Sequence, residues 1–374
     1  MFGCINRFFF LATVFLTVIL ASESLGQNIT VKDLPPNTKI EKLIDGLDVI
    51  WGLELLSEDD ALITVKSGKM YYLNFNKRIR MQIDGVPPVS TSGQAGLLDV
   101  RLSPDFKNDK QIYFTYAKKI ETGDTTALAR AQWTFGEAKL KSVRELFFGK
   151  TDNGGSVHFG SRIAFDHAGH IFFGIGDRGE RNRAQELNWH NGKIIRLKLD
   201  GSVPSDNPFV GVKSALPEIY SLGHRNPQGL FYSLKEGKLY NSEHGPRGGD
   251  EINEVKRGLN YGWPVITYGR EYYGPKIGDG PVKPGLEQPF KVYVPSIAPG
   301  SLIKYESGKI KAFTNSFVLG ALVLEHLNVV SADGKVESRY LQSMSKRIRQ
   351  VKESPAGHLL FTTDSGEIYR ISPL

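Results

Sequence analysis

Short apolar runs alternate with turn residues along almost the whole chain. Runs rich in Val, Ile, Phe, Tyr and Leu recur between clusters of Gly, Asp, Asn and Ser, the pattern of strands joined by tight turns. It predicts strands at 61–65 and 69–73, 111–117 and 127–134, 170–175 and 193–199, 238–242, 316–324, and 358–363 with 367–371. No stretch keeps an apolar 3.6-residue period for three turns between caps, so little helix is expected.

One turn pattern repeats. Asp166-His167-Ala168-Gly169-His170-Ile171 resembles Leu234-Lys235-Glu236-Gly237-Lys238-Leu239 and Ser354-Pro355-Ala356-Gly357-His358-Leu359. Ser57-Glu58-Asp59-Asp60-Ala61-Leu62 is a weaker copy. In each, a glycine (or Asp60) reverses the chain before a strand. The copies lie one or two units of roughly 55 to 65 residues apart, the spacing of a radially repeated sheet. Six such units predict an all-β, six-bladed β-propeller with long top-face loops. A pair of β-sandwiches is the alternative, and repeats this long and this widely spread support it less.

The N-terminus follows another pattern. Arg7 precedes an apolar run at 8–21, and small residues follow at 22–26. The run is shorter than the ~20 residues that span a bilayer. Residues 1–26 are therefore expected to be a secretory signal peptide and 27–374 the propeller. That implies a periplasmic or secreted protein, not an integral membrane protein after cleavage. Cys4 is the only cysteine, so the mature chain is expected to carry no disulfide and no thiol chemistry.

The net charge is +7, and because Arg7 and Glu23 cancel, all of it belongs to residues 27–374. Basic residues form only short clusters such as Lys346-Arg347-Ile348-Arg349. This argues against a nucleic-acid stripe and favours a small acidic ligand held by a few arginines. The Pro/Ser/Asp-rich stretch 200–217 and the Gly/Tyr/Pro-rich stretch 243–285 are expected to be functional loops gathered on one face.

Four segments carry candidate chemistry. In Ser156-Val157-His158-Phe159-Gly160-Ser161-Arg162, a titratable base and an arginine stand at the mouth of an apolar strand. Arg162, two alternations from His158, is expected to share its face, as a support or an ion-pair partner. In Gly223-His224-Arg225-Asn226-Pro227-Gln228-Gly229, a stiff turn presents an arginine and an amide, suited to an anionic or quinonoid oxygen. A blade-linking turn explains it equally well. The stretch Glu243-His244-Gly245-Pro246-Arg247-Gly248-Gly249-Asp250-Glu251-Ile252-Asn253, continued by Gly258 to Pro264, offers hard oxygens suited to Ca²⁺, or is a solvated acidic turn. Arg347 and Arg349 alternate onto one strand face, and burying both requires an anion.

In order and completeness these segments resemble the soluble pyrroloquinoline-quinone (PQQ)-dependent sugar dehydrogenases, most closely the aldose sugar dehydrogenase branch. The resemblance adds Ile50-Trp51-Gly52-Leu53-Glu54-Leu55-Leu56, Gly93-Gln94-Ala95-Gly96-Leu97-Leu98-Asp99-Val100, Gln185 and Gly192-Lys193-Ile194-Ile195-Arg196-Leu197, and covers nearly all of the chain after the leader. It implies a six-bladed propeller with PQQ on its top face, oxidising aldoses at C1 to lactones. By the same resemblance His158 is the general base and Arg225 lies near the quinone oxygens. Gln94 and Asn226 contact cofactor or substrate, and Arg347 and Arg349 pair with the PQQ carboxylates. The carbonyls of Gly245 and Pro246 hold a catalytic Ca²⁺, and Glu251 and Tyr261 match a second, structural Ca²⁺ site. An external electron acceptor, a quinone or a cytochrome, is implied, with a monomeric or homodimeric protein.

Two positions depart from the family pattern. Val323 follows Leu319-Gly320-Ala321-Leu322 where a lysine is typical, with Lys304 or Arg270 as stand-ins, and Gly300 stands where a serine is more usual. The lost lysine keeps open a non-catalytic ligand- or protein-binding propeller of the same family. A calcium-dependent lactonase is disfavoured, because no set of carboxylates and amides converges on one metal in the sequence.

Overall fold

A computed structural model describes residues 27–28, 33–152, 154–166 and 168–374; the expected signal peptide and Cys4 lie outside them. The strands form six antiparallel sheets arranged as a ring. The first blade is built from Ile50–Leu55, Asp60–Val65, Lys69–Asn74 and Ile79–Ile83. The second, third, fourth and fifth start at Leu97–Leu102, Ile163–Phe165, Pro227–Ser233 and Pro299–Tyr305. The sixth takes Ile348–Glu353, Leu359–Thr363 and Ile368–Pro373 from the C-terminal end and Thr38–Ile44 from the N-terminal end. Thr38 pairs with Pro373 and Ile44 with Ile368, so the first long strand closes the ring onto the last.

Each blade is amphipathic on neither face, because both faces pack on neighbours. Six apolar clusters result, one between each pair of adjacent blades. Leu62 and Met70 meet Val100 and Phe114, for example, and Tyr113 and Leu128 meet Ile171 and Ile195. The seam between the last and first blades is the cluster of Leu360 and Ile368 with Ile50 and Ile63. Among the described residues the only α-helix is Phe106–Asp109.

All four copies of the repeated turn connect the first and second strands of a blade. Gly169, Gly237 and Gly357 take φ of +83°, +65° and +83°, which glycine adopts without steric cost. The residue opening the turn caps it: Asp166 Oδ1 accepts from the N–H of Ala168 and His170, and Ser354 Oγ from His358 N–H.

Three expectations need correction. The strand expected at 316–324 ends at Ala321, because Leu324 and Glu325 turn with φ of +65° and +46°. The stretch 243–285 is not all loop; Asp250–Val255 is the third strand of the fourth blade. Arg162 does not share a strand face with His158. The segment between them is irregular, with φ of +53° at His158, +64° at Gly160 and +101° at Ser161, so period-two alternation does not apply.

Arg162 points instead to the axis of the ring. Its Nε donates to Gln228 O (3.1 Å), and its Nη1 to Trp51 O (2.9 Å) and Asp99 Oδ1 (3.0 Å). Its Nη2 reaches Gly300 O and Arg349 O, each at 3.3 Å. Asp99 Oδ2 accepts from Ile163 N–H at 2.9 Å. The innermost strands of all six blades are thereby tied to one buried guanidinium.

Candidate active site

A cavity of about 770 Å³ opens at one end of the channel. Gln94, His158, Arg225, Gly245 and Pro246 line it, with His244, Arg247, Tyr268, Arg270, Tyr272, Ala298 and Val323 among the rest. Five of the ten residues singled out from sequence thus converge on it.

His158 is held from three directions. Its backbone N–H donates to Gln94 Oε1 at 2.8 Å, and its ring Nδ1 lies 2.6 Å from Asp177 Oδ1. Its carbonyl seats against Gly176, where a Cβ would fall 2.1 Å from it. Left-handed backbone at a non-glycine residue is strained and persists where surrounding contacts over-determine it. Arg178, fully buried, adds to the grip by donating to the carbonyls of Gly155 and Val157. Burial pushes the imidazole below its ordinary pKa; the Asp177 hydrogen bond opposes this and the Arg225 charge adds to it. With Nδ1–H directed at Asp177, Nε2 is left as the free, basic nitrogen. The other cavity histidine, His244, is pushed down to about 3, chiefly by burial, and so is neutral at physiological pH.

Burial pushes Asp177 upward, but its hydrogen bond to His158, the charge on that ring and Gly179 N–H together hold it below the usual carboxylate value. It therefore stays ionised beside the imidazole. Asp177 was not among the residues read from sequence. The available signal was an apolar strand ending in Gly176-Asp177-Arg178-Gly179, whose first glycine makes room for the His158 backbone.

Arg225 donates through Nη1 to His244 O (3.0 Å) and Gly245 O (2.9 Å), and its own N–H goes to Glu243 Oε2 (2.7 Å). The Gly245–Pro246 loop is fixed by Asp250, which the sequence reading treated only as a possible oxygen ligand. Its Oδ1 accepts from Gly245 N–H, and its Oδ2 accepts from Ile297 and Ala298 N–H, both at 2.7 Å, and from Ser296 Oγ–H. Asp250 and Glu251 face opposite ways along their strand, so they do not act at one point. Glu251 lines a second, small cavity of about 10 Å³ with Glu243, Gly245, Tyr261 and Trp263. Burial and then the charge of Glu243 push the Glu251 carboxyl well above its ordinary value. The Tyr261 phenol is engaged by Glu254 O and Lys256 N, so Tyr261 could serve a metal there only through its backbone.

The remaining positions are apart from the large cavity. Asn226 Oδ1 accepts from Gly160 N–H and Gln228 Nε2, bracing the His158 segment. Arg347 and Arg349 do share a face, but the anion they meet is Asp364. Its Oδ1 takes Arg349 Nε and its Oδ2 takes Arg347 Nε, each at 2.8 Å. Of the two cations considered in place of Val323, Arg270 lines the cavity, whereas Lys304 pairs with Glu236 at the opposite end of the channel. None of residues 200–217 lines the cavity; Asp206 instead borders a separate pocket with Arg196 and Tyr220. The expectation for that loop is corrected accordingly. At Gly300, a Cβ would lie 2.5 Å from Arg349 O, while the neighbouring Ser301 Oγ accepts from Val351 N–H. Close strand approach therefore requires the glycine.

Fold and site together define a class: a six-bladed propeller whose channel mouth holds an ionisable base among arginines. The chain belongs to the glucose/sorbosone dehydrogenase family, whose model matches residues 47–370. It is 37% identical over 348 residues to aldose sugar dehydrogenase YliI of Escherichia coli (strain K12), which covers 91% of this chain and 94% of that protein. The crystal structure of the soluble aldose sugar dehydrogenase from Escherichia coli in its apo form superposes with a TM-score of 0.86 at 36% identity, covering 90% of this chain and all (100%) of that one. The PQQ-bound aldose sugar dehydrogenase from Streptomyces coelicolor gives 0.74 at 25% identity, over 91% and 99%.

Proposed function

We propose that this protein is a PQQ- and Ca²⁺-dependent aldose dehydrogenase that oxidises the C1 hydroxyl of a sugar to a lactone. The carrying observation is the His158–Asp177 pair opening onto a cavity large enough for a cofactor and a sugar together. The residues present suit an anionic cofactor. Arg247 and Arg270 line the wall with no carboxylate within ion-pair distance among the described residues, and the one acidic lining residue, Glu271, is taken by Arg181. No cluster of three or more metal-binding side chains exists among the described residues, so a Ca²⁺ ion would rely on the carbonyls of Gly245 and Pro246 in one place, where Gly245 O also accepts from Arg225 Nη1, and on Glu251 in the other.

Bound PQQ would supply the acceptor for the hydride leaving C1. The chain's own groups do the rest. His158 Nε2 takes the C1 hydroxyl proton, and the ionised Asp177 holds the tautomer that makes this possible. Arg225 places positive charge where electron density builds up. Gln94 fixes the His158 backbone, and its Nε2 is left to face cofactor or substrate. Asn226 acts by bracing. Arg347 and Arg349, outside the cavity wall and paired with Asp364, would reach a PQQ carboxylate only by giving up part of that pairing. Electrons leave to an external acceptor, a quinone or a cytochrome. The N-terminal apolar run supports a periplasmic or secreted location, and the protein works as a monomer or homodimer.

The test is to add PQQ and Ca²⁺ to purified protein, measure PQQ binding by calorimetry and follow dye reduction with a panel of aldoses. Binding and sugar-dependent reduction are expected. Neither binding nor reduction would leave the non-catalytic reading in its place.

A further inference from the structure

We propose that Trp263 is a positioning residue for the base, acting through Asp177. This rests on the role given to His158 above. Trp263 does not line the large cavity, yet its indole Nε1–H donates to Asp177 Oδ2 at 2.8 Å. The other oxygen, Oδ1, takes His158 Nδ1 (2.6 Å) and Gly179 N–H (2.8 Å). The carboxylate is thereby clamped on both sides.

A buried indole seeks an acceptor, and a backbone carbonyl would serve. Here the acceptor is the carboxylate that orients the base. Trp263 is itself fixed: its N–H donates to Gly223 O (2.9 Å), its carbonyl accepts from Gln185 Nε2 (2.8 Å), and its ring lies 5.4 Å from the Arg225 guanidinium carbon. The indole stops Asp177 rotating about its last torsion. That keeps one oxygen on Nδ1 and the Nε2 lone pair in the cavity. It also draws negative charge away from the imidazole.

Removing the donor has two consequences. The ring loses its single tautomer, and Asp177 stabilises the imidazolium more strongly. The charged groups facing His158 are Asp177 and Arg178 from the strand end and Arg225 from the loop before the fourth blade, with His244 nearby. All remain in Trp263→Phe. In that variant kcat should fall about tenfold or more, the usual scale for losing a partner that orients a reactive histidine, with KM little changed. The acid limb of the pH profile should move to higher pH.

The decisive measurement needs neither cofactor nor sugar. In ¹⁵N-labelled apo protein, long-range histidine spectra should show His158 as the Nδ1–H tautomer, and in Trp263→Phe a tautomer mixture titrating at higher pH. In the unmutated protein the Trp263 indole N–H signal should shift as His158 titrates, and His158→Gln should abolish the shift. That arm stands even where Trp263→Phe does not fold. An indole signal indifferent to His158, or an unchanged tautomer and titration in Trp263→Phe, overturns the proposal. Because the readout is on apo protein, it is separate from failure of the PQQ assignment.

Discussion

The neighbours of His158, the proposed base, disagree about its charge. Burial and Arg225 favour the neutral ring, and Asp177 favours the cation. The net lowering keeps Nε2 deprotonated to a pH below the ordinary value of 6.5. Activity is lost as pH falls through the folded-state value, so the acid limb of kcat/KM should lie below that of a free imidazole. His158→Gln should reduce kcat by about 10² or more, the scale of a lost general base. A pH–rate series on both proteins checks this, and an equal rate in the variant would remove His158 from its role. As cavity-lining groups, His158 and Arg225 were legible in the sequence because each sits in a distinctive local string. Asp177 was not, since it meets His158 across 19 residues, and only folding brings a carboxylate to that ring. Asp364 was missed in the same way, and it changes the meaning of the arginine pair: one of their two charges is already compensated within the protein.

At the level of strands, the repeated turn was the most informative signal. Gly169, Gly237 and Gly357 announce hairpins because a left-handed turn is a local demand that a residue type can meet by itself. The ends of strands were less legible. Leu322 and Val323 continue the apolar pattern of 316–321, yet the chain bends there to bring Val323 into the cavity wall. Gly300 shows the same limit from the other side. Its reason is a neighbouring strand 49 positions later, Arg349 O, and not its own conformation. Gly300→Ser should therefore destabilise the fifth and sixth blades by about 1–3 kcal/mol, the range for overpacking a close contact. Thermal melting checks it. An unchanged Tm would mean that the two strands separate without cost and that a serine is compatible here.

The ring as a whole depends on a residue whose role no local pattern discloses. A propeller blade contacts only its two neighbours, so six blades could drift about the axis unless something joins them at the centre. Arg162 does so with one guanidinium, bonded to carbonyls of Trp51, Gln228, Gly300 and Arg349 and paired with Asp99. One of those strands runs straight to the site: Gly300 is two residues beyond Ala298, which lines the cavity. Arginine fits because its planar fork carries five donors that stay charged, whereas lysine offers a single point. Desolvating it is costly, and Asp99 offsets that cost. Arg162→Met should leave Asp99 buried without its counter-charge and four carbonyls without a donor. The expected loss is about 3–5 kcal/mol, the scale for removing one partner of a buried pair. Asp99→Asn in the same chain should recover part of it, since the two groups are coupled. Denaturant melts of the single and double variants decide the matter. If the double variant is no more stable than Arg162→Met alone, the carbonyl contacts rather than the ion pair hold the blades. If Arg162→Met melts like the unmutated protein, the blade seams alone close the ring.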